Sequence, residues 1–481
     1  PFFTSALFAC HPLQTQAVTY ITQRFASLAA AFYLGAVLCH VRGRLGEGPL
    51  GLRIGALALA LLAMMSKELS ATLPAVLLLI EIVFFNSTFR PAARRIWPFF
   101  LTVAVIPVLM LYVSHRIGTE SIPAIIARGQ NVAPPLDYFL TQTTVVVMYL
   151  GLLLWPMRLN FDYDYPLYHS LAAPVVIACS LFLLAFLGSA LILLVKARRR
   201  SSGPLAAVAF GMLWFLITLS VESSFVPLAD LAEEYRCYLP SVGFFMAVVF
   251  ATLAAIERRP ILVHRMAIAG FGVIALLLAI AAQARNDVYR SEVTLWEDVV
   301  AKSPLKPRPH TNLSVAYAKA QREEDSILQY QAAALLNPDF RVTHGGVGVK
   351  QEEFEQMMHS AASRFVQDHL TKGMAALNKG DFGQAETEFR AALKLDPSRA
   401  DAHSDLGFIY LGRREFEEAI RENREAVRLA PKRTDLLRNL GFTLHWAGKT
   451  AEALEVFKQA VAIDPADAES KKMIEQLSKR Q

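Results

Sequence analysis

The sequence predicts an all-α protein in two unlike parts, a polytopic transmembrane helical bundle followed by an α-solenoid of short helix pairs. Three observations carry that prediction. Apolar runs crowd the chain before about Ala284, and each is close to the ~17–25 residues that a helix needs to cross a bilayer. Arginine clusters sit beside those runs rather than inside them. Beyond the runs, small residues and prolines recur with a spacing of 34. The 481 residues are 54% hydrophobic and 19% charged, with a mean hydropathy of +0.34, which fits a membrane half joined to a water-facing half. The formal charge of +6 comes from arginines flanking the apolar runs, so it speaks for orientation in a membrane and against nucleic-acid binding. Cys10, Cys39, Cys179 and Cys237 are scattered in mostly apolar surroundings; they read as small buried hydrophobes, not as a disulfide framework or a metal site.

Within the membrane part, residues 1–284, apolar runs cover 25–41, 52–66, 70–86, 97–114, 138–156, 174–196, 204–220, 239–256 and 265–283. Residues 1–10 read as the tail of a further helix. The chain opens at Pro1 without a charged leader or a small-residue cleavage site, so the sequence is expected to be a fragment that lacks its N-terminus. Four basic clusters assign the cytoplasmic side: Arg42, Arg44 and Arg53; Arg90, Arg94 and Arg95; Lys196 and Arg198 to Arg200; Arg258, Arg259 and Arg265. Passing from Arg95 to Lys196 then takes an even number of crossings, yet three apolar runs lie between them. The run 138–156 begins beside Asp137, holds Thr141 to Thr144 in its first turns and ends at Trp155-Pro156. It is expected to be re-entrant or interfacial with both ends outside, leaving about eight full spans.

This topology gathers the polar segments on the outer face. They are His11 to Arg24, the Ser66-Lys67-Glu68 turn, the loop from His115 to Asp137, the loop from Asn160 to His169, and Glu222 to Arg236. Together they hold nine of the twelve acidic residues before Arg285. Glu47 and Glu257 fall in inner loops, and Glu81 reads as an interfacial acid at the inner end of its run. Carboxylates, tyrosines and basic residues on one face make a site that can hold a phosphate-linked head group while an acid or base works on an acceptor.

The second half is periodic. Gly373, Gly407 and Gly441 are 34 apart, as are Ala385, Ala419 and Ala453, then Ala392, Ala426 and Ala460, then Pro397, Pro431 and Pro465. A 34-residue helix-turn-helix period is the tetratricopeptide (TPR) signature: small residues let the paired helices approach closely, and proline ends the second helix. The expected layout is a connecting half repeat at 285–306, repeats at 307–340, 366–399, 400–433 and 434–467, and a capping helix at 468–481. Residues 341–365 break the period and read as a glycine-rich insertion with a degenerate helix. A concave groove lined by first-helix residues such as Arg438, Asn439, Phe442 and His445 is expected to take a protein or peptide.

Taken together, HPLQTQAVTYITQRFASLAAAFYL (His11 to Leu34), SKELSATLP (Ser66 to Pro74), LNFDYDYP (Leu159 to Pro166) and EYRCYLPS (Glu234 to Ser241) ahead of TPRs resemble the transmembrane and TPR-repeat-containing protein O-mannosyltransferases and their bacterial relatives, within the GT-C glycosyltransferases. The resemblance covers nearly the whole chain, and the YDYP and YLPS forms are closer to bacterial members. It implies an integral enzyme of the bacterial inner membrane that moves a sugar from a polyprenyl phosphate to Ser or Thr of an exported protein, the sugar being mannose in animal members. It also implies that polar loops and TPRs face the periplasm, and that the catalytic acids lie in a first outer loop upstream of Pro1.

The remaining candidates follow from charge and side. Arg24, Lys67 and Arg236 are the candidate phosphate contacts, and Glu68, Asp162, Asp164 and Glu234 the candidate sugar or acceptor contacts. His11, beside Pro12, reads as a positioning residue. No cluster has metal-ligand spacing and no cofactor is identified beyond the lipid-linked donor; cations or a divalent metal would stabilise its leaving phosphate. Two rival readings are a membrane-anchored TPR scaffold for envelope proteins and an O-antigen-ligase-like enzyme. The 115–137 loop, with only His115, Arg116 and Arg128, is a poor match to the second.

Overall fold

The computed structural model of the chain describes residues 2–20, 23–46, 50–108, 112, 133–337 and 351–479. Glu47, most of the 115–137 loop, Pro338 and the glycine-rich part of the insertion lie outside the described residues. Every element among the described residues is helical, and the chain divides into two compact units, Pro1–Leu305 and Lys306–Gln481.

The first unit runs through α1 (Phe2–Cys10), a 3-10 turn (Pro12–Gln14), α2 (Thr15–Thr19), α3 (Arg24–Arg44), α4 (Leu50–Ser66), a second 3-10 turn (Glu68–Thr72), α5 (Leu73–Val83) and α6 (Phe89–Val103). It continues with α7 (Pro135–Leu154), α8 (Pro174–Arg200), α9 (Gly203–Leu219), a third 3-10 turn (Glu234–Cys237), α10 (Tyr238–Ile256), α11 (Ile261–Val288) and α12 (Glu292–Lys302). Among the described residues, five helices are long and apolar enough to cross a membrane: α3, α7, α8, α10 with its preceding turn, and α11; α4 and α9 are apolar helices of 17 residues each. The sides of α8 and α11 stay uncovered, with Leu184, Ile192, Leu276 and Ile280 exposed, an apolar surface of the kind that lipid covers. The chain is a membrane protein.

One expected crossing is shorter than the sequence suggested, and another lies partly outside the described residues. The run 70–86 is divided between the 3-10 turn and an α5 of 11 residues, because Pro74 sits in the first turn of α5 and Asn86 turns the chain at φ 49°. The run 97–114 begins inside the 15-residue α6 and passes out of the described residues. Glu81 also differs from expectation. It is fully buried rather than interfacial, and accepts from Arg44 Nε at 2.7 Å, Arg95 Nη1 at 2.8 Å and Ser87 Oγ at 2.8 Å, with His40 Nε2 at 3.1 Å. It ties α3, α5 and α6 together at their arginine-rich ends.

Glycine sets the closest helix approach. A Cβ on Gly211 of α9 would lie 2.4 Å from the Gly243 carbonyl oxygen of α10, and one on Gly243 would lie 2.5 Å from the Gly211 oxygen. Apolar helices in lipid gain by such backbone contact, and Trp214 Nε1 adds a bond to Leu239 O at 3.0 Å. Helix α7 is one unbroken 20-residue element. Its flank is bonded to a single interhelix segment: Tyr138 to Glu222 O, Gln142 to Leu231 O and Tyr149 to Glu233 O, all within 2.9 Å. From Tyr138 to Tyr149 that is about 16 Å of helix laid along one loop.

Helix α12, expected to open the solenoid as a half repeat, belongs to the first unit. A capping box of Ser291 and Thr294 starts it, and its end supplies donors to the 159–164 loop: Lys302 Nζ to Leu159 O at 2.8 Å and Ser303 Oγ to Asp162 O at 2.9 Å.

The second unit consists of helix pairs. These are α13 (Pro307–Lys319) with α14 (Glu323–Leu336), α15 (Gln351–Asn378) with α16 (Phe382–Leu395), α17 (Ala400–Gly412) with α18 (Phe416–Leu429) and α19 (Thr434–Trp446) with α20 (Thr450–Ile463), closed by α21 (Ala468–Ser478). The expected break at 365 is absent. The degenerate helix of the insertion and the first helix of the next repeat form one 28-residue α15, because no Pro or Gly interrupts residues 351–372. Close approach explains the periodic glycines: a Cβ on Gly441 would meet the Phe457 ring at 2.7 Å, as one on Gly373 would meet Phe389.

Candidate functional site

The four polar motifs of the first unit meet in one buried cluster. His11 starts the first by accepting from Leu13 N at 3.2 Å through Nδ1, which caps the 3-10 turn. That turn and the start of α2 aim two glutamines inward. Gln14 Nε2 donates to Ser241 Oγ at 2.9 Å. Gln16 donates to Glu233 Oε2 at 2.9 Å and accepts from Tyr235 N at 2.9 Å, fixing both faces of the Glu233–Arg236 turn. The second motif contributes Lys67, whose ammonium pairs with Glu222 at 2.6 Å and lies 4.1 Å from the centre of the Tyr235 ring. From the third, the Tyr163 hydroxyl donates to Glu234 Oε1 at 3.0 Å. Phe161 packs edge-on against Tyr20 and Trp296, which ties the loop to α2 and α12.

Glu233 and Glu234 stand at the centre. Both are buried, a costly place for two adjacent acids. Burial, reinforced by the Asp230 carboxylate, pushes the Glu233 carboxyl up to about 8, against the bond from Gln16; Glu233 therefore holds a proton at neutral pH. Burial followed by the nearby Glu234 carboxylate raises the Tyr163 phenol, so it stays a donor. Burial lowers His11 to about 4 and keeps it neutral. Glu234 faces Arg285 Nη2 only at 3.8 Å, while Arg285 Nη1 is drawn to Asp298 at 2.8 Å. Glu234 Oε2 thus accepts no hydrogen bond, and Arg285 Nε and Nη2 donate none. Buried polar atoms without partners are uncommon, and a cluster of them is where a polar ligand group would fit.

The expected site residues divide accordingly. Lys67 and Glu234 enter the cluster, and His11 shapes it. Asp162 is buried beside it with its carbonyl held by Asn160 Nδ2 and Ser303 Oγ. Asp164 is exposed, its backbone N bonded to Ser303 Oγ at 3.2 Å, and Glu68 is exposed at its turn. Arg24, expected at a phosphate, donates from Nε to Val18 O at the exposed head of α3. Arg236 is also otherwise engaged: its Nη atoms donate to Asp230 O at 2.7 Å and Leu231 O at 3.3 Å, with Tyr138 OH at 3.5 Å. Its Nη atoms thus hold the loop, while its buried Nε has no hydrogen-bond partner. Gln14, Gln16, Glu222, Glu233 and Arg285 were not singled out from sequence. The Gln-Thr-Gln spacing, which puts two amides two residues apart behind a proline turn, was the available signal. Among the described residues no three His, Cys, Asp or Glu side chains gather as metal ligands.

In the second unit the expected groove residues are largely engaged with the fold. Arg438 reaches Asp467 at 3.3 Å and Glu469 at 3.4 Å on α21, Asn439 donates to Ser404 at 2.9 Å, and Phe442 packs edge-on against Phe457. His445 lies 6.0 Å from the ring of Trp446, which is 67% exposed. One repeat earlier at each step, the register position of Phe442 is filled by Phe408 and Met374, both exposed. The repeats therefore present an apolar stripe.

Comparison with known proteins agrees with both units. A family model described as "Tetratricopeptide repeat" matches residues 370–434 and 409–468. A protein O-mannosyl-transferase of Caenorhabditis elegans is 24% identical over 352 residues, 70% of this chain and 46% of that protein. Protein O-mannosyl-transferase Tmtc3 of Drosophila melanogaster is 23% identical over 392 residues, 72% of this chain and 42% of that protein. The chain thus spans about half the length of the curated relatives it matches. Among solved structures, the Arabidopsis OM64 TPR domain is 19% identical and covers 25% of this chain and 99% of its own, with a TM-score of 0.24. MamA of Desulfovibrio magneticus RS-1 is 18% identical and covers 37% and 85%, with a TM-score of 0.20. With membrane helices ahead of TPRs, and with similarity to the two transferases running across most of its length, the chain is similar to the transmembrane and TPR-repeat-containing protein O-mannosyltransferases.

Proposed function

We propose that the protein is a GT-C-type membrane glycosyltransferase that moves a mannose-like sugar from a polyprenyl phosphate to a Ser or Thr hydroxyl of an exported protein. The observation that carries this reading is the convergence of four motifs, far apart in sequence, on Glu233 and Glu234 with Lys67 and Arg285 beside them. In the transfer, the bond from the anomeric carbon to the carrier phosphate breaks and one to the acceptor oxygen forms. The acceptor proton passes to a carboxylate, and the polyprenyl phosphate leaves. Lys67 is placed to offset charge on the leaving phosphate, and Glu234, with an oxygen lacking a donor, to hold a hydroxyl of sugar or acceptor. Asp162 and Asp164 border that site from their loop.

In this reading the cluster and the repeats face the outside of a bacterial inner membrane, and the apolar stripe of the repeats holds the acceptor or a partner protein. Helix α7, bonded along its flank to the outer loop, keeps both ends outside. Membranes containing the protein together with the first outer loop that the resemblance implies, given a polyprenyl-phosphate mannose and a Ser/Thr-rich acceptor, should transfer sugar; Glu234→Gln at equal protein level should lower the rate about tenfold, the loss of one hydrogen bond between a hydroxyl and a charged group. Undiminished transfer in that variant would overturn the assignment of Glu234. Labelling of cysteines at 160 and 170 by an impermeant reagent from outside checks the placement of α7, and labelling only from the cytoplasm sinks it.

A further inference from the structure

At the arginine-rich end of the first unit, α3, α4 and α6 enclose a cavity of about 490 Å³ that the proposed transfer does not use. Its lining includes His40, Arg44, Arg53, Arg94 and Arg95, with Pro91, Pro98 and Phe99 from α6. Four guanidinium groups and an imidazole thus face one space. Among the described residues the carboxylate in contact with this lining is Glu81, and it is already shared: Arg44 and Arg95 bind its two oxygens and His40 approaches one of them. Arg44 is also held over the Phe85 ring at 4.5 Å. Arg53 and Arg94 are exposed and have no ion pair among the described residues. One side of the pocket is therefore a wall whose two guanidinium groups share one carboxylate and keep a single net positive charge, and the other carries two uncompensated forks.

The surroundings restrict what can enter. Ile54 on α4 and Trp97 and Leu101 on α6, one to three residues from the lining, expose their side chains. An exposed indole one turn or less from arginines marks the bilayer interface. A ligand there carries its negative charge at head-group depth. Guanidinium forks match the paired oxygens of phosphate, and basic pockets between membrane helices hold anionic head groups.

We infer that this pocket binds a phosphate group, presented by an anionic lipid of the leaflet that adjoins the arginine clusters. The full chain, purified in detergent and mixed with phosphatidylglycerol or phosphatidylcholine, reads this out as lipid retained in native mass spectrometry. Phosphatidylglycerol should be retained in preference, and Arg53→Gln with Arg94→Gln should lower its retention by about 25-fold, at about fivefold for each arginine near a membrane surface. Arg42→Gln with Arg90→Gln removes two equally exposed arginines of the same clusters that do not line the pocket, and should leave retention nearly unchanged. Equal loss in both double variants would mean diffuse surface attraction and overturn the pocket, as would equal retention of the two lipids by the unmodified chain. Displacement of phosphatidylglycerol by millimolar inorganic phosphate would support the phosphate chemistry but overturn the lipid as its source.

Discussion

Glu81 and Glu234 are both wholly buried in the membrane unit, and they differ in what surrounds them. Glu81 has both oxygens engaged by charged or hydroxyl donors from α3, from α6 and from the turn before it. Glu234 has one phenol on one oxygen, and an arginine on the other that stays beyond hydrogen-bond reach. A buried charge with a full shell holds a fold together; one with an incomplete shell leaves room for a ligand. Burial alone did not separate these two acids, but the count and distance of donors did.

The largest expected effect tests the first half of that contrast. Glu81→Gln leaves Arg44 and Arg95 facing each other without their counter-charge, and should cost about 3–5 kcal/mol, seen as loss of a folded peak from detergent extracts or a sharply lower unfolding midpoint. A variant as stable as the parent would break the comparison. Glu234→Gln should do the reverse, leaving the unfolding midpoint within a few degrees while transfer falls. If it unfolds the protein instead, Glu234 is a structural acid like Glu81.

A smaller effect concerns the neighbouring acid. Burial raises Glu233 above the ordinary carboxylate range, to about 8, so the folded state takes up its proton more readily than the unfolded chain. Its contribution to stability is full below the unfolded pKa and is lost as pH rises through the folded value. Unfolding midpoints of the parent should therefore fall from pH 5 to pH 8, and Glu233→Gln, which mimics the protonated form, should flatten that slope. Smallest is Tyr163→Phe, which removes the donor to Glu234. It should cost about 1 kcal/mol in stability, and more in transfer rate than in stability if the phenol orients the acid toward a ligand. In the second unit, Gly441→Ala drives a methyl into the Phe457 ring and should lower stability by about 1–3 kcal/mol, with transfer per folded molecule unchanged.

The repeats were the most legible part of the chain. Gly373, Gly407 and Gly441 mark the register, and the helix pairs fall where the 34-residue spacing puts them. A second periodic feature runs beside it: His310 with Gln329, His369 with Glu388 and His403 with Glu422 are each 19 apart and bonded at 2.7 Å. Each ties the first helix of a repeat to the second, and the last repeat replaces the pair with Leu437 and Val456. α12 misled because its spacing from Pro338 suits a half repeat, whereas its Lys302 and Ser303 bond the 159–164 loop.

The sequence by itself determined the two-part helical architecture, the repeat register and the grouping of polar motifs between apolar runs. Those features are local or periodic, set by how many apolar residues follow one another and where Gly and Pro interrupt them. Only the tertiary structure decided which polar residues touch. The bond from Gln16 to Glu233 spans 217 positions, and that between Arg44 and Glu81 spans 37. No pattern along the chain encodes such pairings, because they depend on how helices cross, as Gly211 and Gly243 let α9 and α10 do. For the same reason only the structure shows that Arg236 bonds the carbonyls of Asp230 and Leu231, and that Glu81, peripheral by its place in the sequence, is the buried anchor of the opposite end.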